Sequence, residues 1–81
     1  MHEMAIASSV IEAVRKEAAR RPGARVTKVG LRIGEFSGVD SESLSFCFAV
    51  LVKETDLESA TLAIEGAGRD ELDLSYLELE E

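Results

Sequence analysis

The hydrophobic residues near the start of the chain recur at the spacing of an amphipathic helix. From Glu3 to Arg21, apolar residues return every three or four positions, while charged residues lie mostly on the other side. Arg20 and Arg21 suit the negative end of a helix, and Pro22 and Gly23 then interrupt the pattern. The sequence therefore predicts a helix over about residues 3–21. Its apolar stripe consists of Met4, Ala7, Ile11, Val14 and Ala18, widened by Ile6, Val10 and Ala13.

Between Val26 and Phe36 the period changes to two, which is typical of a strand with one buried face. β-Branched residues are concentrated on the apolar face, as expected for such a strand. Gly34, Ser37 and Gly38 then favour a turn. The apolar face holds Thr27, Val29, Leu31 and Ile33, and the opposite face holds Lys28, Gly30, Arg32 and Gly34.

Helical spacing returns from about Ser41 to Lys53. Asp40 or Ser41 can cap the first turn by accepting hydrogen bonds from its free backbone N–H groups. Because the stripe is wide, we expect this to be the more deeply buried of the two helices. The inner stripe consists of Leu44, Cys47, Phe48 and Leu51, extended by Phe46 and Val50.

Two shorter alternating segments complete the chain, from Thr61 to Glu65 and from Leu72 to Glu80. In the second segment the alternation slips by one residue. A β-bulge near Ser75–Tyr76 would absorb the slip, because a bulge adds one residue to one strand of a pair. Leu72, Leu74 and Tyr76 are in one phase, and Leu77 and Leu79 are in the other.

The order helix-strand-helix-strand-strand predicts an α+β fold, with two helices packed on one face of a three-stranded sheet. The first two strands are joined through a helix, so we expect them to be parallel with a right-handed crossover. A short loop joins the last two strands, which predicts an antiparallel hairpin. Residues 1–81 are interpreted as a single domain.

The charge balance argues against several classes of function. Acidic residues outnumber basic residues 16 to 9, and the formal net charge is −7. Nucleic-acid binding normally needs a basic surface, so we expect no nucleic-acid partner; cations or basic surfaces of partners suit this chain better. We expect no membrane association, since the sequence contains no apolar run near the roughly 20 residues of a membrane helix.

The cysteine and histidine content points away from disulfides and from enzymatic chemistry. One cysteine, Cys47, leaves no intrachain disulfide, and a lone thiol suits a reducing compartment such as the cytoplasm. Cys47 also falls on an apolar helical stripe, which favours core packing. The single histidine is His2, so the interior offers no base beside a nucleophile, and we expect no catalytic residues.

The first residues, Met1-His2-Glu3-Met4, place several metal-ligating atoms close together. The α-amine of Met1 and the amide of His2 can close a five-membered chelate, and that amide and the imidazole can close a six-membered one. Planar nitrogen sets favour Ni(II) or Cu(II) over Zn(II). The fourth ligand could be the amide or carboxylate of Glu3, water, or a partner's donor. From these residues alone, an incidental histidine at a frayed terminus is the alternative interpretation.

Longer stretches of the chain resemble the HypA-type hydrogenase-maturation proteins. The opening Met1-His2-Glu3-Met4 is similar to that family's first residues, and residues 26–40 resemble its first strand and turn almost residue for residue. Residues 43–51 are similar to its second helix, and residues 71–80 to its closing strand. The resemblance therefore covers nearly the whole chain.

This resemblance implies a nickel metallochaperone for [NiFe] hydrogenase, and in some bacteria for urease. It implies Ni(II) as the bound ion, with Met1, His2 and Glu3 as its ligands. The implied partners are the GTPase HypB, a hydrogenase large subunit and urease maturation proteins. A metal-free interaction module that docks a maturation GTPase, through the first helix and the Lys28/Arg32 face, is the alternative.

One departure from the family pattern is large. The family carries a zinc domain with two CxxC pairs between its last two strands, whereas here Glu65 leads through Gly66-Ala67-Gly68 directly to Arg69. A single cysteine cannot supply a zinc thiolate set, so we expect no zinc in this chain. We interpret Gly66-Ala67-Gly68 as a joint left by deliberate excision of the zinc domain; a natural short paralogue is the alternative.

Overall fold

A computed structural model describes residues 2–81; Met1, the first of the three predicted nickel ligands, lies outside the described residues. The predicted order of elements is confirmed. The first helix is shorter than predicted, because the amides of Arg20 and Arg21 turn to carbonyls only three residues back, at Glu17 and Ala18. The elements are α1 (Glu3–Ala18), β1 (Arg25–Gly34), α2 (Ser41–Val52), β2 (Thr61–Ala67) and β3 (Leu72–Glu80).

The central strand of the sheet is β1. It pairs with β2 in parallel, as predicted, and with β3 in antiparallel fashion, giving the order β2-β1-β3. The predicted hairpin between the last two strands is therefore wrong. Placing β1 centrally buries Val29, Leu31 and Ile33, each at most 6% exposed, which a β2–β3 hairpin would leave at the sheet edge.

The short connection from β2 to β3 can cross the end of β1 because the distance between the two outer strands is small. Neighbouring strands lie about 4.8 Å apart, so a step over one strand is roughly 10 Å, within reach of four residues. Residues 68–71 make that step across the end of β1. Gly66 and Ala67, predicted to belong to the joint, are the last residues of β2 and pair with Ile33 and Gly34.

The crossing segment packs directly on Gly34. The amide of Gly34 donates to the carbonyl of Glu71 at 2.7 Å, and the amide of Phe36 donates to the carbonyl of Arg69 at 2.8 Å. A β-carbon at Gly34 would lie 2.6 Å from the carbonyl carbon of Arg69 and 2.7 Å from the amide nitrogen of Glu71. Position 34 therefore requires glycine for steric reasons.

The predicted bulge in the last strand is confirmed. Gly30 pairs with Tyr76 and the next residue, Leu31, pairs with Leu74, so Ser75 is the extra residue. The bulge reverses the phase of the strand. Leu74 and Leu77 consequently both pack against the core, and the Tyr76 ring lies over Gly30 on the other face of the sheet.

The helices bury narrower stripes than predicted. Met4, predicted on the core stripe, is 47% exposed, and Phe46 is 69% exposed. The inner line of α2 follows steps of four residues from Leu44, and Phe46 lies about 200° round the helix from Leu44. The expectation that Phe46 extends the buried stripe is therefore wrong. The buried core comprises Ala7, Val10, Val14, Val26, Val29, Leu31, Ile33, Leu44, Phe48, Val52 and Leu57.

Within residues 2–81, neither helix has the length and apolar character that crossing a bilayer requires.

Replacing Gly34 with alanine is expected to destabilise the fold by about 1–3 kcal/mol, because the new methyl group meets backbone that cannot move independently. Gly66→Ala is the matched control, since outside residues 65–67 no heavy atom of the described chain lies within 4 Å of the point that its β-carbon would occupy. Thermal unfolding measures the difference. Equal melting temperatures for the two variants would contradict the close approach at Gly34.

Candidate metal centre

His2 is the residue from which the first helix starts. Its carbonyl accepts the first helical hydrogen bond, from the amide of Ile6 at 3.1 Å, and its backbone is non-helical (φ −93°, ψ 84°). Within the described part of the chain the His2 side chain makes no capping hydrogen bond, and the residue is exposed. The imidazole is therefore accessible to an ion at the N-terminal end of α1.

The carboxylate of Glu3 ties the start of α1 to the start of α2. Its Oε2 accepts a hydrogen bond from the backbone amide of Asp40 at 3.1 Å, and Glu3 is half-buried. Asp40, one of the two predicted candidates, is the N-cap of α2, and its Oδ1 accepts from the amides of Glu42 at 3.0 Å and Ser43 at 3.4 Å. The Glu3 side chain thus has a structural partner before any metal is considered.

The two helices run in the same direction, so their N-terminal ends lie together. Glu3 joins Asp40 at one end, and Arg15 joins Asp56 at 2.8 Å near the other. Both N-termini carry partial positive charge, which Glu3, Asp40 and Glu42 offset. The start of α1 therefore lies at a point where positive helix ends and carboxylates converge.

An open groove of about 400 Å³ separates the first turns of α1 and α2. Cys47 on its wall is half-buried and packs against the core, which agrees with the structural role predicted for it. Met4 and Phe46 contribute exposed apolar surface. The groove is lined by Glu3, Met4, Glu42, Ser43, Phe46 and Cys47.

The described side chains do not form a conventional metal cage. Among residues 2–81, no three His, Cys, Asp or Glu side chains lie where they could hold one ion together. The backbone amides of His2 and Glu3 are adjacent in the chain and could both supply nitrogen ligands. No local sequence pattern signals the hydrogen bond between Glu3 and Asp40, which lie 37 positions apart.

The fold and the exposed imidazole define the class: a small α+β domain with an accessible histidine at the start of its first helix. The family model described as "Hydrogenase/urease nickel incorporation, metallochaperone, hypA" matches residues 1–69. The chain belongs to the HypA family.

Named relatives agree with this assignment. The hydrogenase maturation factor HypA of Chlorobaculum tepidum is 46% identical over 74 residues, which cover 88% of this chain and 66% of that protein. The HypA of Geobacter sp. strain M21 is 51% identical over 65 residues, covering 80% of this chain and 56% of that protein. The chain thus spans less than two thirds of the length of these relatives.

A solved structure shows the same fold. The solution structure of the Ni metallochaperone HypA from Helicobacter pylori superposes with a TM-score of 0.74 at 21% sequence identity. The superposition covers 94% of this chain and 72% of that one.

Glu3→Ala is expected to lower the free energy of unfolding by about 1 kcal/mol, because the Asp40 amide loses a charged acceptor. Glu3→Gln keeps an acceptor oxygen and should lose less. Glu12→Ala, an exposed change on the same helix, is the matched control. Chemical denaturation measures all three. The same loss in Glu3→Ala and Glu12→Ala would show that the Glu3–Asp40 hydrogen bond contributes no measurable stability.

Proposed function

We propose that this chain is a nickel-binding unit of the HypA type, which carries Ni(II) during maturation of [NiFe] hydrogenase or urease. The family match over residues 1–69 supports this, because it includes the Met-His-Glu opening. The exposed His2 at the start of α1 is the observation that carries the proposal. The chain acts as a carrier and performs no catalytic step.

The proposed ligands are the amine of Met1, the amide and imidazole of His2, and an atom of Glu3. The first three belong to fused five- and six-membered chelate rings, so local covalent geometry places them without support from a folded cage. A planar nitrogen set selects Ni(II) or Cu(II) over Zn(II).

For Glu3, the hydrogen bond to Asp40 favours the amide nitrogen as ligand. Its carboxylate already accepts from the Asp40 amide at 3.1 Å, so metal binding by that group would break a contact between the helices. The amide nitrogen of Glu3 is bonded to the carbonyl carbon of His2. It is therefore the next backbone nitrogen in the chain after that of His2, whose imidazole is also a proposed ligand. Nickel can then bind while α1 and α2 stay joined at their N-terminal ends.

Release of the metal is favoured by the electrostatics of the helix ends. A bound dication lies near the positive ends of α1 and α2, which oppose it by roughly 0.3–1 kcal/mol per helix at an exposed site. The negative charges of the deprotonated amides and of nearby carboxylates offset this repulsion. A carrier benefits from such a balance, because it must transfer its ion to an acceptor.

The description of the family, which mentions nickel incorporation, and the relatives' name, which mentions hydrogenase maturation, support a wider role. We propose that the chain works in the cytoplasm with the GTPase HypB and delivers nickel to a hydrogenase large subunit or to urease maturation proteins. Residues 1–81 form a single nickel-binding domain in this proposal, with Ni(II) as cargo and no zinc.

His2→Ala is expected to abolish high-affinity Ni(II) binding and to leave the fold intact, because an exposed side chain without capping contacts is removed. Calorimetric titration of protein starting at a free Met1 measures binding, and circular dichroism measures folding. Ser8→Ala, exposed on the same helix, is the control. An unchanged isotherm in His2→Ala would overturn the proposed site.

Glu3→Gln separates the two possible Glu3 ligands. If the amide nitrogen binds, affinity changes by less than about threefold, while loss of a carboxylate ligand would weaken binding by more than about tenfold. The same titration with an acetylated Met1 amine should lose binding, since the five-membered ring can no longer close. Retained binding after acetylation would exclude the amine as a ligand.

Nickel affinity is expected to fall as the pH is lowered. Binding displaces protons from the amine, the imidazole and the amides, so protons compete with the ion and their release raises affinity at higher pH. Titrations between mildly acidic and mildly alkaline pH measure this dependence. Calorimetric titrations in buffers of different ionisation enthalpy give the number of protons that are released on binding. An affinity that does not vary with pH would exclude deprotonated nitrogen ligands.

A further inference from the structure

The basic residues of the chain are concentrated in one short segment. Five of the nine lysine and arginine residues lie within residues 15–25, where Glu17 is the only acidic residue, so this segment has a formal charge of +4. The other 70 residues contain four basic and fifteen acidic residues. The net charge of −7 therefore conceals a basic region. Its five cations are Arg15, Lys16, Arg20, Arg21 and Arg25.

The two cations of the central strand have acidic neighbours in the sheet. In the strand register, Arg32 lies between Glu65 on β2 and Asp73 on β3, and Lys28 pairs with Glu78 on β3. Neighbours of opposite charge on adjacent strands attract each other and reduce the local excess of positive charge. Positive charge therefore prevails at the C-terminal half of α1 rather than on the sheet.

Within the basic segment, Lys16 and Arg20 are the cations least engaged by carboxylates. Lys16 takes part in no ion pair among residues 2–81, and Arg20 approaches Glu17 only to 3.9 Å with its side chain 79% exposed. These two side chains are therefore available to another molecule. The other three cations have distant partners: Arg15 contacts Asp56, Arg21 contacts Glu81 and Arg25 contacts Glu80.

An open groove of about 750 Å³ lies between the C-terminal half of α1 and β3. Three cations and one carboxylate line it, and none of the acidic residues of β3 does so. Leu74, Leu77 and Leu79 pack against the core but are only half-buried, so they add apolar surface. The groove thus combines net positive charge with an apolar floor. It is lined by Ala13, Lys16, Glu17, Arg20, Arg21, Leu74, Ser75, Tyr76, Leu77 and Leu79.

The floor of this groove follows the free edge of β3. Because β3 pairs with β1 on one side only, its other side presents backbone N–H and C=O groups. An extended segment of another chain can pair with such groups. Residues 74–79 span about 17 Å at ~3.3 Å per residue, which is the length of five or six extended residues. The shape of the groove therefore suits a short extended segment.

The spacing of the two available cations indicates which segment fits. Lys16 and Arg20 are one turn apart on the same face of α1, about 6 Å along the helix axis. Side chains on one face of an extended segment recur every two residues, at about 6.6 Å. Carboxylates at alternating positions can consequently meet both cations at once. Glutamate suits these positions better than aspartate, because its longer stem can lie over Leu77 and Leu79 while its carboxylate reaches the helix.

We propose that the groove between α1 and β3 binds an extended acidic segment of a partner protein, with glutamate at alternating positions. The acidic remainder of the surface repels such a segment, so electrostatics direct it to this groove. Lys16 lies fourteen residues after His2, about 21 Å along α1 at ~1.5 Å per residue. A partner held in the groove therefore leaves the start of α1 accessible, and the proposal does not depend on nickel binding.

A synthetic peptide tests the proposal with metal-free protein. A fluorescent octapeptide in which glutamate alternates with threonine is titrated with the protein, and its anisotropy is measured. We expect saturable one-to-one binding that weakens as salt is added, because salt screens exposed charges. The aspartate version should bind several-fold more weakly and the lysine version should not bind. No binding of the glutamate peptide at millimolar protein, or equal binding of the lysine peptide, would overturn the proposal.

Charge reversal locates the binding surface. Lys16→Glu and Arg20→Glu should each weaken peptide binding by at least about fivefold. Lys53→Glu is the matched control, since it changes the net charge equally on α2 outside the groove, and it should bind within about twofold of the parent. Circular dichroism checks each fold, and Lys16→Gln is the milder variant if reversal disturbs folding. Equal losses in Lys16→Glu and Lys53→Glu would show that net charge alone governs binding, against the proposal.

Two further measurements separate the alternatives. Amide chemical shifts in residues 13–21 and 74–79 should change on adding the glutamate peptide, and changes confined to other residues would contradict the groove. A labelled oligothymidylate should bind more weakly than the peptide, because phosphates cannot use the apolar floor; tighter binding would assign the groove to nucleic acid instead. Nickel titration of Lys16→Glu should match that of the parent, so failure of the groove and failure of the nickel site are distinguishable.

Discussion

The double pairing of β1 is the constraint on which the rest of the structure depends. Val29, Leu31 and Ile33 supply a buried face to which both helices pack, and hydrogen bonds to β2 and β3 hold the strand on both sides. This arrangement requires the chain to pass across the end of β1 after leaving β2. Gly34 makes the passage possible, because the backbone of residues 69–71 occupies the space that a side chain would need.

The same topology creates the candidate metal centre. Because β1 and β2 are parallel, α2 returns in the direction of α1, and the two helices begin at the same end of the molecule. Asp40 caps α2, and Glu3 accepts from the amide of that cap. His2 is thereby held beside two helix N-termini, where carboxylates offset positive partial charge without enclosing an ion.

The ion pairs contribute less than their number suggests. Arg15–Asp56, Arg21–Glu81 and Arg25–Glu80 join distant parts of the chain, but their side chains are 46–75% exposed. Exposed pairs are typically worth no more than about 1 kcal/mol each. Stability therefore comes chiefly from the apolar layer between the helices and the sheet. The excess of acidic residues mainly affects which charged molecules can approach the surface.

The sequence by itself determined the type and order of the elements, the bulge in β3, the nitrogen donors at the N-terminus and the resemblance to the HypA family. Each of these depends on residues close together in the chain, through periodicity, capping or chelation by adjacent groups. Only the tertiary structure decided that β3 pairs with β1, that Glu3 bonds to Asp40 and that Phe46 faces solvent. Periodicity records which side of an element is apolar, whereas strand order and contacts between elements depend on how whole surfaces are buried together.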